Sequence, residues 1–198
     1  MARNAEQTRQ RLLAAAAAEF SAYGIAGAKV ERIATDAECN KAMIYTYFGS
    51  KEELFNSVFM FEVADRIRAV GFDPADLADY AGRLFDCFDW HPFTVRLYNW
   101  YNLERPGGPA LASIGLANEN KLGRLEQAQA DGVLPDHYSP IEMMTLLRSI
   151  AATWATLSHS SLGPYAPHER DRRRLVVVDA IERLIAPAGD RADPRDAR

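Results

Sequence analysis

Residues 40–55 run Asn-Lys-Ala-Met-Ile-Tyr-Thr-Tyr-Phe-Gly-Ser-Lys-Glu-Glu-Leu-Phe, and they gather groups suited to recognition rather than to bond-making. Lys41 and Lys51 bring ammonium donors. Tyr45, Thr46 and Tyr47 bring hydroxyls, and Ala42 is small enough to let another surface come close. The chain has only four lysines, Lys29, Lys41, Lys51 and Lys121, and three of them lie in or just before this segment of a protein of net charge −4. Ammonium, hydroxyl and free helix N–H groups are what phosphate oxygens take as donors. The overall charge argues against non-specific coating of nucleic acid, yet a local basic surface is compatible with it, because charge placement counts as well as its sum.

Other chemistry finds little support. The four histidines, His91, His137, His159 and His168, have no metal-ligand spacing. A phosphate-binding loop, a nucleophile elbow and a dinucleotide fingerprint are all missing, so neither an enzyme nor a cofactor nor a metal is expected. Cys39 and Cys87 make no metal motif and no disulfide framework, which fits a reducing cytoplasm; Cys39 reads as a small core residue rather than a redox sensor. No apolar run approaches the ~20 residues of a membrane span, and the N-terminus has no signal-type apolar segment.

The elements that must position these groups are helices. The chain predicts an all-α fold of nine helices, three short at the front and six longer behind, in 198 residues of which 48% are hydrophobic. Thr8 is the expected cap of a helix to about Tyr23, with Leu12, Leu13, Ala16 and Phe20 on one stripe. Short helices follow from about Lys29 to Ala37 and from Lys41 to about Phe48, the second capped by Asn40 and ended by Gly49. Ser50 and Glu53 form a capping box for a helix to about Val70. Asp73-Pro74 and His91-Pro92 open helices to about Asp89 and Glu104. The last three run from Pro109 to Asp131, from Ser139 to about Ser160, and from Pro167 to Ile185. At 100° per residue Ile44 and Phe48 face inward against Phe20 and Ile33, while Ala42 and Thr46 point away, flanked by Met43 and Tyr45. Two short helices and a tight turn suggest a helix-turn-helix, and a major groove admits such an outward face.

At these residues the chain resembles the TetR family of bacterial transcriptional regulators. The similarity covers about Thr8 to Val58: the helix ending in Phe20 and Gly24, the Ile33-Ala34 pair, and above all Asn40 to Phe48 followed by Gly49-Ser50-Lys51-Glu52. It implies a DNA-binding domain over residues 1–52, a ligand-binding and dimerisation domain over 53–186, and a tail over 187–198 that its composition marks as disordered. It implies that Lys41, Ala42, Met43 and Tyr45 approach base edges, that Thr46, Tyr47 and Lys51 contact phosphate, and that the helix start near Lys29 helps. Asn40 belongs with them as the cap. Two departures stand out. The family commonly has glycine where this chain has Glu38, and Ser or Thr where it has Lys29.

The back half supplies candidates for an effector site and a dimer seam. Aromatic residues crowd between Phe85 and Tyr101, and an apolar wall with a few polar groups is what small-molecule recognition requires; Phe88, Trp90, Phe93, Leu97, Trp100, Tyr101 and Trp154 are the candidate ligand-binding residues. Helical stripes through Leu147, Ile150 and Leu157, and through Leu175, Val178 and Ile181, are candidates for a four-helix seam around a twofold axis. Arg170 and Arg172 to Arg174 read as a solvated or interface-rim cluster. The expected protein is a cytoplasmic homodimer that binds a double-stranded DNA operator and answers to an unknown small-molecule effector, most simply as a repressor. The alternative is a helical small-molecule carrier or protein-interaction module with a vestigial helix-turn-helix.

Overall fold

The computed structural model describes residues 2–156 and 169–186. Helices account for all of the regular structure among the described residues, and we number them in chain order: α1 (Ala2–Gly27), α2 (Val30–Asp36), α3 (Lys41–Phe48), α4, α5 (Leu77–Trp90), α6 (Pro92–Glu104), α7 (Pro109–Ala130), α8 (Pro140–Thr156) and α9 (Arg170–Leu184). Helix α4 has three continuous parts, Lys51–Phe59, a π-helical segment Met60–Asp65 and a last turn Arg66–Ala69. A 3₁₀ turn, Pro74–Asp76, precedes α5 and is capped by the Asp73 carboxylate on Ala75 N–H at 3.1 Å.

The chain divides into two compact units that interleave along the sequence. One comprises residues 1–69 and 91–115, the other 70–90 and 116–198. Helices α4 and α6 close the core of the first unit. That core is built from the predicted stripes. Leu12, Ala16 and Phe20 of α1, Ile33 of α2, Ile44 of α3 and Leu54, Phe55, Val58 and Phe59 of α4 are all within a percent of full burial. Phe20 meets Phe55 edge-on at 4.9 Å, and Tyr101 of α6 packs on Phe59 at 4.3 Å and Phe55 at 5.6 Å. Aromatic pairs in such geometries add about 0.5–1.5 kcal/mol each to simple area burial.

Helix α1 differs from expectation at both ends. It starts at Ala2, and Thr8 is not its cap: the Thr8 hydroxyl donates to the Asn4 carbonyl at 2.9 Å, one turn back in the same helix. At the far end the helix continues past Gly24, which alone is non-helical (φ 68°, ψ −175°). The Glu104 carboxylate accepts the N–H groups of Ile25 at 3.2 Å and Ala26 at 2.9 Å. The kink frees these donors, and α6 satisfies them.

In the second unit α5, α8 and α9 bury Leu77, Leu84, Phe85, Met143, Leu147, Ala151, Val177 and Ile181. The capping box at the start of α8 forms as the sequence predicts: Ser139 N–H donates to Glu142 at 2.8 Å, and Glu142 N–H approaches Ser139 Oγ at 3.5 Å. Arg172 is exposed, but the other arginines at the head of α9 are not a solvated or rim cluster. Arg170 pairs with Asp86 and Asp89, Arg173 with Asp89 at 3.1 Å, and Arg174 with Asp86 at 2.9 Å. They clamp α9 to α5.

Candidate nucleic-acid interface

Helix α2 ends in a Schellman motif. Cys39 N–H donates to Ala34 O at 2.9 Å and Glu38 N–H to Thr35 O at 3.0 Å, with Glu38 in the left-handed region at φ 51°. Two otherwise orphaned carbonyls are thereby satisfied. A non-glycine residue in that conformation costs roughly 1 kcal/mol, so the departure noted at Glu38 changes the residue and keeps the turn. The Glu38 carboxylate lies 3.7 Å from Arg11 of α1. Cys39 is half-buried against the core.

Helix α3 then starts from Asn40, whose side-chain oxygen accepts Ala42 N–H at 2.9 Å. Gly49 ends it at φ 79°. Ile44 and Phe48 are buried; Lys41, Ala42, Tyr45 and Thr46 are exposed; Met43 and Tyr47 lie between, Tyr47 against the core. Tyr45 leaves 45% of its surface in solvent despite its apolar ring. The Thr46 hydroxyl donates to Ala42 O at 3.0 Å; to donate to another acceptor it must give up that carbonyl.

Lys41 and Lys51 are engaged through their ammonium groups, and Lys29 through its backbone N–H. Lys41 pairs with Glu31 of α2. The bond from Lys41, foremost, holds the Glu31 carboxyl below its ordinary range, and the same bond raises the Lys41 ammonium. Lys51 donates to the Ala28 carbonyl in the α1–α2 turn at 3.0 Å, using one of its three N–H groups. That contact gives Lys51 a structural role beside the phosphate-gripping one expected from its place at a helix start. Lys29 stands at the cap position of α2 in extended backbone but makes no side-chain cap bond. Glu19 of α1 serves instead: its carboxylate accepts Lys29 N–H at 2.8 Å and Arg32 Nε at 2.9 Å. Burial pushes the Glu19 carboxyl up, but Arg32 and the Lys29 N–H outweigh it and hold the group below its ordinary range.

Arginine side chains add to the positive charge of the lysines. Arg32 lies over the exposed Tyr23 ring at 4.3 Å, and Arg9 over Phe48 at 5.9 Å. With Arg11 they add cations on α1 and α2 around the three lysines. Glu19 is harder to find from sequence, because it caps a helix ten residues away from inside an apolar stripe.

The candidate effector residues fall in both compact units. Phe93, Leu97, Trp100 and Tyr101 belong to the first; Phe88, Trp90 and Trp154 to the second. Leu97 and Tyr101 are fully buried core residues, Phe88 is buried, and the Trp100 indole donates to Ser21 O at 3.2 Å. Trp90 is 66% exposed, with the Arg170 guanidinium 4.8 Å from its ring centre.

The seam candidates also divide. Leu147 and Ile181 correct the expectation: with 1% and 0% of their surface exposed they are spent inside the protomer. Ile150 and Val178 are half-buried, Leu175 is 58% exposed, and Leu157 lies outside the described residues.

A short helix, a Schellman turn and a second short helix with a small, hydroxylic and cationic outer face define a helix-turn-helix DNA-binding protein. The chain belongs to the TetR family and is a DNA-binding transcriptional regulator: the model "Bacterial regulatory proteins, tetR family" matches residues 12–58, and "Tetracyclin repressor-like, C-terminal domain" matches residues 76–183. It is 36% identical over 192 residues to the HTH-type transcriptional repressor SCO4008 of Streptomyces coelicolor, covering 96% of this chain and 88% of that one. The HTH-type transcriptional repressor NicS of Pseudomonas putida is 40% identical over 111 residues, 52% of each chain. Among solved structures, SCO4942 of Streptomyces coelicolor superposes with a TM-score of 0.79 at 39% identity, over 89% of this chain and 97% of that one. No helix among the described residues is long and apolar enough to cross a membrane.

Proposed function

We propose that the protein is a homodimeric repressor that leaves a palindromic operator when a small, largely apolar molecule binds its helical back half. The observation that carries the DNA-reading part is the exposed face of α3. Lys41, Ala42 and Tyr45 face solvent although Tyr45 is aromatic, while the alternate residues Ile44 and Phe48 are buried. Lys41, Ala42, Met43 and Tyr45 approach base edges; Thr46, Tyr47, Lys51 and the α2 start near Lys29 take phosphates, with Asn40 fixing the helix start. The repressor sign is suggested by the relatives SCO4008 and NicS, both HTH-type transcriptional repressors. The dimer is suggested by the apolar surface left on α9 at Leu175 and Val176.

Two copies of α3 then enter successive major grooves roughly 34–36 Å apart, which requires an approximately palindromic site. An effector shifts this equilibrium only by its affinity difference between the two forms, and a hundredfold loss of operator affinity needs about 2.7 kcal/mol. The test is a genome-wide binding map, followed by a ligand screen for release of the strongest site. A compound that binds the protein and leaves operator affinity unchanged is not the effector. If no compound of a broad apolar and aromatic set releases the site, the switch itself fails.

Glu31 sets a further expectation. Its carboxylate holds Lys41 in the free protein, and its negative charge opposes any phosphate brought to that face. Glu31→Gln should raise affinity for a scrambled duplex by roughly two- to fivefold, in keeping with an exposed pair, and flatten the preference for the operator over it. Fluorescence anisotropy on both duplexes measures this; unchanged affinities would mean the pair has no part in recognition.

A further inference from the structure

The turn between α1 and α2 is held residue by residue, by side chains from α1, α2, α4 and α6. Glu104 of α6 accepts Ile25 N–H on Oε1 at 3.2 Å and Ala26 N–H on Oε2 at 2.9 Å. Arg32 of α2 donates to Gly27 O at 3.3 Å, and Lys51 of α4 donates to Ala28 O at 3.0 Å. Lys29 N–H donates to Glu19 of α1 at 2.8 Å. Backbone groups at helix ends need such partners. Lys51 and the α2 start belong to the face that meets DNA. Glu104 comes from a different part of the chain.

Helix α6 grips the same kink twice. In a regular α-helix Ile25 N–H is the partner of Ser21 O, four residues back. At the Gly24 kink both groups meet α6: the Trp100 indole donates to Ser21 O at 3.2 Å, and Glu104 takes Ile25 N–H. Trp100 and Glu104 are one turn apart, on one face of α6. The next residue, Arg105, lies 3.9 Å from Glu52 in the first turn of α4. All these residues belong to the first compact unit, yet residues 100–105 fall in the segment that matches the C-terminal family domain. Hydrogen bonds from backbone N–H to a carboxylate are about twice as strong as neutral ones, so Glu104 is the firmest hold that α6 has on the turn.

We infer that Glu104 is a positioning residue for DNA recognition: through Ile25 and Ala26 it fixes the turn from which the α2 start at Lys29 and the Lys51 ammonium meet phosphate. This deepens the DNA-reading proposal above and rests on it for those two phosphate contacts. Glu104 carries a charge that DNA repels, so action through charge and action through position have opposite signs. By charge alone, loss of the carboxylate tightens binding to any duplex. By position, its loss weakens the operator and spares a scrambled duplex. Phosphate contacts set the register and orientation that base reading needs, whereas non-specific binding follows charge and tolerates a shifted turn.

The test is fluorescence anisotropy of wild type, Glu104→Ala and Glu104→Gln on an operator and a scrambled duplex, at a temperature where circular dichroism shows each protein folded. Glu104→Ala should bind the operator about tenfold more weakly and the scrambled duplex within about twofold of wild type. Glu104→Gln keeps one acceptor oxygen and should lose about threefold on the operator. Both variants are uncharged at this position, so a graded loss belongs to the hydrogen bonds. Should Glu104→Ala not fold, Glu104→Gln carries the comparison alone. Folded variants that bind the operator as wild type does, or bind both duplexes more tightly, would overturn the inference. Equal losses on the two duplexes would overturn it as well, since they mean a weakened basic surface rather than a misplaced reader. A wild type that does not tell operator from scrambled duplex sinks the reading by α3 and this inference with it. Wild-type discrimination that survives intact in folded Glu104→Ala sinks this inference alone.

Discussion

Gly24→Ala should destabilise the protein by about 4 kcal/mol. Two costs add. The backbone there, φ 68° and ψ −175°, belongs to a region that only glycine enters readily, and forcing another residue into it costs about 1–3 kcal/mol. A Cβ built on Gly24 would also stand 2.3 Å from the Glu104 carboxylate and 2.8 Å from the Trp100 ring, and such overpacking costs typically about 1–3 kcal/mol. Neither neighbour moves freely, because Glu104 caps Ile25 and Ala26 while the Trp100 indole holds Ser21 O. For a chain of this size the loss should lower the unfolding temperature by roughly 8–16 °C, a large share of a total stability of about 5–15 kcal/mol. Thermal unfolding followed by circular dichroism measures it. A shift within 2 °C, small against the roughly 8 °C lower bound, would mean that the kink relaxes without α6.

Ala42→Glu should leave the fold intact and lower operator affinity at least about a hundredfold, about 2.7 kcal/mol. Ala42 is exposed in the first turn of α3, where a carboxylate suits the helix dipole. Folding therefore has no reason to suffer. Binding does, because the smallest residue of the outward face becomes a long anion directed at phosphates and base-edge acceptors. Anisotropy with an operator duplex, controlled by circular dichroism, decides it. A folded variant that binds within threefold of wild type, far short of the roughly hundredfold loss expected, would show that Ala42 does not approach DNA.

Local signals were the legible ones. Asn40 as a cap, Gly49 as a stop, the Ser139–Glu142 box and the Ile44–Phe48 inward pair each depend on neighbours within a turn or two, and each forms. The partners that escaped are distant along the chain. Glu19 caps α2, Glu104 caps the end of α1, and Lys51 reaches Ala28. Their residue types hint at nothing until the elements are placed side by side. Arg170, Arg173 and Arg174 matched Asp86 and Asp89 in sign, but recognising a clamp required knowing that α9 lies on α5. Periodicity failed in a different way for Leu147 and Ile181. An apolar stripe says that a face is buried and is silent on whether its own protomer or a second one covers it. The same silence explains Leu97 and Tyr101, whose helical spacing is equally good for a core and for a cavity wall.

Whether α3 reads sequence is decided by comparing wild type with Lys41→Ala and Tyr45→Phe on a palindromic operator and on a scrambled duplex at several salt concentrations. Each variant that loses a base contact should bind the operator about 1–3 kcal/mol more weakly, change little on the scrambled duplex, and relax preference at particular base pairs. Circular dichroism should match wild type, since both side chains face away from Ile44 and Phe48. If both variants fold and bind the two duplexes as wild type does, α3 is not the reader, and a helical carrier with a vestigial helix-turn-helix becomes the better account.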